Sequence, residues 1–145
     1  LIGEGIIISG EIPRRTDFEE VPTYFWTENH TGMIHDRIID ELMLIIKGAE
    51  GIYLFLGCGH SGTINCLHYA AELFPGEKIA AVIGGMHLEG VEASRLSKTI
   101  QSFINFEVQK VVPLHCTGEI AVNEIKKQFG EFCLAPMVGD LVELE

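Results

Sequence analysis

Short apolar runs alternate with amphipathic stretches along most of the chain. An apolar run bounded by turn residues is typical of a buried strand, whereas apolar positions three or four residues apart indicate a helix. Because the two patterns alternate in the second half, the sequence predicts an α/β layer. The runs predict strands at 5–9, 42–47, 52–57, 79–83, 111–114, 132–134 and 141–144, and the amphipathic stretches predict helices at 62–74, 92–106 and 118–129.

The predicted helices have defined ends and apolar faces. Ser61 is the expected N-cap of the first helix, Pro75-Gly76 is expected to end it, and Gly130 to end the last. Each helix is expected to turn its apolar residues toward a sheet. These residues are Ile64, Leu67, Ala71 and Phe74 in the first helix, Leu96, Ile100, Phe103 and Ile104 in the second, and Ile120, Ile125 and Phe129 in the third.

The region before residue 57 is less regular. Glycines separate the runs at 42–47 and 52–57, which predicts a hairpin. The segment 36–41 is expected to add a helical turn before it. Residues 10–35 are rich in turn residues and contain the cluster Tyr24-Phe25-Trp26. Two interpretations of this long segment stay open: a lid over a functional site, or a surface loop held by its aromatic residues.

Composition narrows the class of protein and its partners. The 145 residues are 47% hydrophobic and 21% charged, which suits one globular domain with a core. The formal net charge of -11 argues against nucleic acid and against an anionic membrane surface as partners. No apolar run approaches the roughly 20 residues of a membrane-spanning helix. The four cysteines form no close-spaced disulfide framework, which favours a reduced, cytoplasmic protein.

His60, His87 and His115 each follow an apolar run, at the predicted carboxyl end of a strand. In open α/β sheets, ligands bind in the crevice at these strand ends. Imidazole is the commonest metal-ligating side chain, and three imidazoles leave coordination positions open for water and substrate. The pattern therefore predicts one metal site made of the three histidines, although each of them taken singly is more typical of a hydrogen-bonded loop residue.

The stretch GCGHSG at 57–62 matches G-x-G-x-x-G between a strand and a helix. Such glycines let a backbone approach a pyrophosphate at a helix N-terminus. The fingerprint also needs an acidic residue after the next strand to bind the ribose, and 84–87 contains none. A nucleotide-binding α/β domain is therefore a weaker alternative.

Cysteines stand beside two of the histidines. Cys58 and Cys116 could join His60 and His115 in a mixed thiolate–imidazole site. Adjacent residues of an extended chain point to opposite sides, so His115 and Cys116 would face one metal only if a turn reorients them. We expect both cysteines to be small buried side chains instead. Thr117 is expected to cap the last helix or to bind substrate.

The strand-end residues resemble those of a known family. The stretches GCGHSGTIN at 57–65, IGGMHL at 83–88 and PLHCTG at 113–118 resemble the later motifs of the metallo-β-lactamase fold superfamily. The branch that they resemble comprises methanopterin-type dihydropterin phosphate synthases and related metallohydrolases. The stretch 10–14 with Phe18-Glu19, and Asp40-Glu41 before the hairpin, also resemble that branch. The resemblance covers nearly the whole chain.

The resemblance implies a four-layer αββα sandwich, a mixed sheet flanked by helices in each half, with a metal site, often binuclear, at one sheet edge. It implies that His60 and His115 are metal ligands. His87 lies near the position of a bridging carboxylate in many relatives, which makes it a ligand or a substrate contact. Thr117 and Gly118 would form part of the substrate pocket.

The family's first metal motif, H-x-H-x-D-H, does not occur in residues 1–145. We therefore expect a single partial domain, the C-terminal half of the sandwich. The N-terminal half would be a separate chain, a missing segment or part of a second copy in a homo-oligomer. A half-sandwich would leave one apolar sheet face exposed.

The resemblance implies a metal-dependent hydrolase in which a metal-bound hydroxide attacks an ester- or phosphate-type small molecule. Zinc is the expected metal, with manganese and iron as alternatives. Two other hypotheses stay open: a non-catalytic half-domain that assembles with a partner chain, and the nucleotide-binding domain. The identity of the substrate does not follow from the fold.

Overall fold

The computed structural model describes residues 2–144. Two short 3-10 turns, at His115–Thr117 and Gly130–Phe132, lie on either side of the last helix. The strands are β1 (Ile6–Ile8), β2 (Trp26–Asn29), β3 (Gly32–His35), β4 (Met43–Lys47), β5 (Ile52–Leu56), β6 (Ile79–Gly85) and β7 (Lys110–Leu114), and the helices are α1 (Thr63–Leu73), α2 (Ala93–Asn105) and α3 (Glu119–Phe129).

Five strands form one mixed sheet in the order β1-β4-β5-β6-β7. β1, β4 and β5 are antiparallel neighbours, whereas β5, β6 and β7 run parallel. Met43 pairs with Leu56 and Lys47 with Ile52, so the predicted hairpin is confirmed. Because α1 and α2 connect the parallel strands, the carboxyl ends of all three lie at one edge of the sheet. The predicted α/β class is confirmed.

The helices cover one face of the sheet. Alternate residues of a strand point to opposite faces, and Leu54, Val82 and Val111 point to the helices. There they join a core with Phe103 of α2 and Ile125 of α3, and none of these five side chains has exposed surface. The helices therefore bury this face of the sheet in one hydrophobic core.

The opposite face is sparsely covered. Tyr53 and Ala81 are buried on it, but Phe55 and Ile83 are only half-buried, and Leu144 of the C-terminal segment packs against them. A cleft of about 750 Å³ lies along this face, and its lining includes both half-buried side chains. Only the helix-covered face of the sheet is therefore fully buried.

The structure corrects several predicted elements. Residues 26–35 form the β2–β3 hairpin, with Trp26 opposite His35. Its strand residues other than Gly32 are all exposed, so no alternation of buried apolar and exposed polar residues predicts this hairpin. The predicted helical turn at 36–41 is absent, and neither 132–134 nor 141–144 is a strand. Only Cys133 makes an isolated bridge there, to Val111.

The helix details differ from prediction at a few positions. Ala71 is exposed and its neighbour Ala70 is fully buried, because α1 presents a slightly rotated face to the sheet. Ile120 is 77% exposed and Ile104 40% exposed, so neither belongs to the core. Ile120 lies in the first turn of α3, while Ala121 takes the inward position. Within residues 2–144, no helix combines the length and apolar character needed to cross a membrane.

Candidate functional site

Three loops meet at the carboxyl edge of the parallel strands, one after each of β5, β6 and β7. Their backbones are joined directly: the Gly85 N–H donates to the Gly57 carbonyl at 2.9 Å, and the Glu89 N–H donates to the Cys116 carbonyl at 3.4 Å. A Cβ on Gly85 would lie 2.7 Å from the Gly57 oxygen and 2.9 Å from Cys116 Sγ. A glycine is therefore required for the loops to approach this closely.

His60 and His87 lie side by side at this edge. Their ring centroids are 4.4 Å apart, and the Phe25 ring meets His60 edge-on at 5.1 Å and His87 at 6.4 Å. No group in residues 2–144 lies within hydrogen-bond reach of the buried Nδ1 atom of His60. A buried imidazole nitrogen without a partner is costly, so this atom is poised to bind a ligand that the chain itself does not supply.

The ionisation of His87 follows from its position. Burial lowers the pKa of His87 below its ordinary value, and the neighbouring His60 and Arg95 lower it further. The imidazole of His87 is therefore neutral at physiological pH, which is the form that ligates metals or accepts a proton.

His115 lies with two cysteines instead. It is exposed, whereas Cys58 and Cys116 are half-buried, and one ligand atom from each of the three residues lies within 4.8 Å of the others. The 3-10 turn that begins at His115, with a φ of 48°, is the reorientation that two adjacent residues need to face one point. The structure thus brings together His60 with His87, and His115 with the two thiols.

The Cys116 thiol has polar neighbours. Its Sγ donates a hydrogen bond to the Cys58 carbonyl at 3.2 Å. Burial raises the pKa of the Cys116 thiol, and this effect is partly offset by a hydrogen bond from the His87 backbone. The expectation that Cys58 and Cys116 are merely small buried side chains therefore fails, because both reach the surface beside His115.

Thr117 and Gly118, the predicted pocket residues, line the cleft on the open face of the sheet. Thr117 does not cap α3: its side chain is buried and its hydroxyl donates to the Leu114 carbonyl at 2.7 Å, which closes the turn after β7. Gly118 precedes α3 with a φ of 80°, and a Cβ there would lie 2.8 Å from Glu89 Cβ. Their predicted role in substrate binding stays a prediction.

Two carboxylates from distant segments position the loop that carries His60. The Glu41 carboxylate accepts the backbone N–H groups of His60, at 2.8 Å, and of Ser61. Glu19 accepts the N–H groups of Ile64 at 2.8 Å and Asn65 at 2.9 Å. Glu19 is thus the N-terminal cap of α1, and the predicted capping role of Ser61 is wrong.

Burial determines the ionisation of Glu19. It raises the pKa of the Glu19 carboxyl, and the hydrogen bonds from the two backbone groups and from Thr16 partly offset the shift. Sequence reasoning assigned no role to either glutamate, although both stand in the stretches 18–19 and 40–41 that resemble the family. Their partners lie 19 to 46 residues further along the chain, beyond the reach of local patterns.

The same contacts argue against nucleotide binding at GCGHSG. A pyrophosphate would use the free N–H groups at the start of α1. Those of His60, Ser61, Ile64 and Asn65 already bind carboxylates, and that of Gly62 donates to the Gly59 carbonyl. The glycines serve the close approach of the loops instead.

Comparison with known proteins agrees with this geometry. The solved structure of Tm1679, a metal-dependent hydrolase of the β-lactamase superfamily, superposes with a TM-score of 0.85 and 31% sequence identity over 97% of this chain and 53% of that one. The chain has the fold of the metallo-β-lactamase superfamily. The predicted family resemblance is confirmed. No family model matches the chain.

Two proteins of Methanocaldococcus jannaschii are also similar in sequence to this metallo-β-lactamase-type chain. A 7,8-dihydropterin-6-methyl-4-(beta-D-ribofuranosyl)-aminobenzene-5'-phosphate synthase is 32% identical over 88% of this chain and 44% of its own length. The uncharacterized protein MJ0448 is 32% identical over 87% of this chain and 45% of its own length. The synthase agrees with the predicted branch. The chain spans about half the length of the relatives it matches.

The residues at the strand ends suit the divalent metal that this superfamily implies. The buried Nδ1 of His60 lacks a partner within residues 2–144, His87 is neutral, and an imidazole and two thiol sulfur atoms are clustered at His115. Neutral imidazoles and thiolates are the donors that zinc prefers. The donor set therefore fits the group.

Proposed function

We propose that this chain is the C-terminal half of a metal-dependent hydrolase that acts on an ester- or phosphate-type small molecule. The observation that carries the proposal is the His60–His87 pair, with its partnerless buried nitrogen, at the carboxyl edge of a sheet of this superfamily. A divalent metal, zinc before manganese or iron, would polarise the substrate and activate water. His60 and His115 are the ligands carried over from the family.

The remaining residues have supporting roles in this proposal. Glu41 holds the backbone of the His60 loop, and the Arg14 guanidinium donates to the His60 carbonyl at 3.1 Å from its other side. His87, neutral beside His60, binds metal or contacts substrate. Phe25 contacts both rings edge-on, which supports the lid interpretation of the segment before β2. Thr117 and Gly118 would form one wall of the substrate pocket.

The other half of the protein would cover the open sheet face. The half-buried Phe55 and Ile83 and the cleft of about 750 Å³ are a surface that a second layer would complete. The matched relatives, of which the chain spans 44 to 53%, support a second unit of similar size. That half could come from the same polypeptide, a separate subunit or a second copy.

Between ester- and phosphate-type substrates, the name of the similar synthase favours a phosphate-bearing one. The chain carries a formal net charge of -11, which by itself repels anions, so a bound cation would be needed to reverse the local field. The similar synthase is named for a phosphate-containing pterin derivative. A cytoplasmic location belongs to the same proposal, because Cys58, Cys66, Cys116 and Cys133 are all free thiols.

The test uses the full-length protein and three histidine variants. We expect His60→Ala and His115→Ala to lose bound metal, measured by mass spectrometry of the elements, together with hydrolysis of a panel of phosphate and carboxylate esters. His68→Ala is the matched control, because His68 lies on α1 and packs edge-on against Phe106 at 4.9 Å. Unchanged metal content in both site variants would refute the proposal. A full-length protein without metal or hydrolysis would favour the non-catalytic half-domain.

A further inference from the structure

The turn at residues 36–38 is tied to the loop that carries His60. The guanidinium of Arg14 donates to the Arg37 carbonyl and to the His60 carbonyl, so it bridges the two segments. Glu41, further along the same segment, accepts the N–H group of His60 at 2.8 Å. The backbone of Arg37 is therefore held between two contacts to this loop.

The same turn also contacts the aromatic residue that lies against the two histidines. The Asp36 N–H donates to the Phe25 carbonyl at 2.9 Å. The ring of Phe25 in turn meets His60 and His87 edge-on. The side chain of Arg37, which follows Asp36, therefore starts at the rim of the two imidazole rings.

The backbone of this turn adopts a costly conformation. Ile38 has a φ of 47°, in the left-handed region where a β-branched residue is a rare exception. The Asp36 carboxylate holds it there by accepting the Ile38 N–H at 2.8 Å. Strain of this kind persists only where the surrounding structure imposes it, and it is concentrated at functional sites.

The Arg37 side chain itself has no partner within residues 2–144. It is exposed, and in this part of the chain it forms no hydrogen bond and no ion pair. The carboxylates nearby bind backbone groups instead, Glu41 in the His60 loop and Asp36 at Ile38. A guanidinium with all of its donors available is thus left beside the site.

Positive charge is concentrated around the histidine pair. Burial lowers the pKa of Arg14, and the charge of Arg37 lowers it further, while Glu41 offsets part of the shift. The charge of Arg95 likewise adds to the effect of burial on the pKa of His87. Three of the four arginines therefore act on this edge of a chain whose net charge is -11. Like charges gathered beside a site favour the binding of an anion there.

We propose that Arg37 binds the phosphoryl group of the substrate beside the His60–His87 pair and so selects phosphate monoesters over neutral esters. A guanidinium presents parallel N–H donors to two phosphate oxygens, which gives strong and directional recognition of a dianion. The inference rests on the proposed hydrolase function and assigns to it a specificity-determining residue apart from the metal ligands.

A titration of the metal-free full-length protein with inorganic phosphate, followed by phosphorus NMR, tests the contact without any turnover. Arg37→Ala is expected to weaken phosphate binding by about 10- to 100-fold, the usual effect of losing a hydrogen bond to a charged group. Arg37→Lys should recover part of the loss, because lysine keeps the charge but not the paired donors. Arg15→Ala is the matched control and should bind phosphate normally, since the exposed Arg15 side chain pairs with Glu72.

Turnover of the metal-loaded full-length protein gives a second readout. The ratio of kcat/KM for p-nitrophenyl phosphate to that for p-nitrophenyl acetate is expected to fall at least about tenfold in Arg37→Ala, mainly through the KM for the phosphate. Urea denaturation should give the same free energy of unfolding as for the unmodified protein, because the Arg37 side chain is exposed.

The outcomes separate this proposal from the hydrolase function. No phosphate binding by the unmodified protein, unchanged affinity in Arg37→Ala, or an equal loss in Arg15→Ala would overturn the role of Arg37. A full-length protein that binds phosphate through Arg37 but neither holds metal nor hydrolyses either ester would uphold the phosphate contact and refute the hydrolase function.

Discussion

The two faces of the central sheet differ in how completely they are covered. On the helix side, Leu54 and Phe103 have no exposed surface, whereas Phe55 and Ile83 on the other side are only half-buried beside an open cleft. The neighbouring β5 residues Leu54 and Phe55 thus lie in a closed core and on a partly open surface, respectively. The difference agrees with the proposal that a second unit would supply the layer on the open face, whereas the helix layer is packed by the chain itself.

The largest expected effect lies in the helix-side core. Phe103→Ala removes a fully buried ring and leaves a cavity, so we expect the free energy of unfolding to fall by about 3–5 kcal/mol. Phe55→Ala, which truncates the same side chain on the open face, should cost much less. Urea denaturation of both variants measures the difference. Equal losses would contradict the contrast between the faces.

The anchoring of α1 gives the next largest effect. Glu19→Ala leaves the buried N–H groups of Ile64 and Asn65 without partners, which should cost about 2–4 kcal/mol. Glu20→Ala is the matched control, because Glu20 is the next residue in the chain and its side chain is exposed. Thermal denaturation of the two variants checks the prediction, and a Glu19→Ala variant as stable as Glu20→Ala would show that the helix layer does not need this cap.

A glycine beside this cap should give a smaller loss. Both Gly62 and Gly76 have positive φ, so alanine strains either backbone by about 1–2 kcal/mol. At Gly62 the new Cβ would also lie 2.3 Å from Glu19 Oε2, whereas at Gly76 nothing lies within 4 Å. We expect Gly62→Ala to be the less stable variant by about 1 kcal/mol in urea denaturation. Equal losses would show that the carboxylate moves aside at no cost.

The smallest effect in this chain is also the sharpest test of the comparison. Ile83→Ala should cost about 1 kcal/mol here, because its side chain is only half-buried. In the proposed two-layer protein the same change should cost about 2–5 kcal/mol, since the proposed second layer would bury the residue. Parallel denaturation of both proteins gives the two values. Identical losses would mean that nothing covers this face.

Local patterns predicted the helices, the β4–β5 hairpin and the parallel strands, because each of these elements has an apolar face opposite the same core. They failed for β2–β3, whose strands are exposed, and for 141–144, where an apolar run lies over the cleft without pairing. The error at 141–144 shows that a short apolar run does not by itself form a strand, because Leu141 is 90% exposed and only Val142 and Leu144 line the cleft.

The sequence predicted which histidines lie at the carboxyl edge of the sheet, but not how they are grouped there. The position after a parallel strand placed His60 and His87 at one sheet edge, where the structure has them in contact. The turn at His115 depends on a left-handed backbone conformation that no pattern of apolar residues records. The caps by Glu19 and Glu41 come from segments far away in sequence, so only the folded chain reveals them.

The backbone conformations of His87 and His115 have a consequence for the stability of the fold. Their φ angles of 44° and 48° belong to the left-handed region, which costs a residue with a Cβ about 1–2 kcal/mol and costs glycine almost nothing. Histidine at these positions therefore lowers the free energy of unfolding relative to glycine. A design procedure that optimised folding alone would replace both imidazoles early, and the more robust protein would have lost two of its three strand-end histidines.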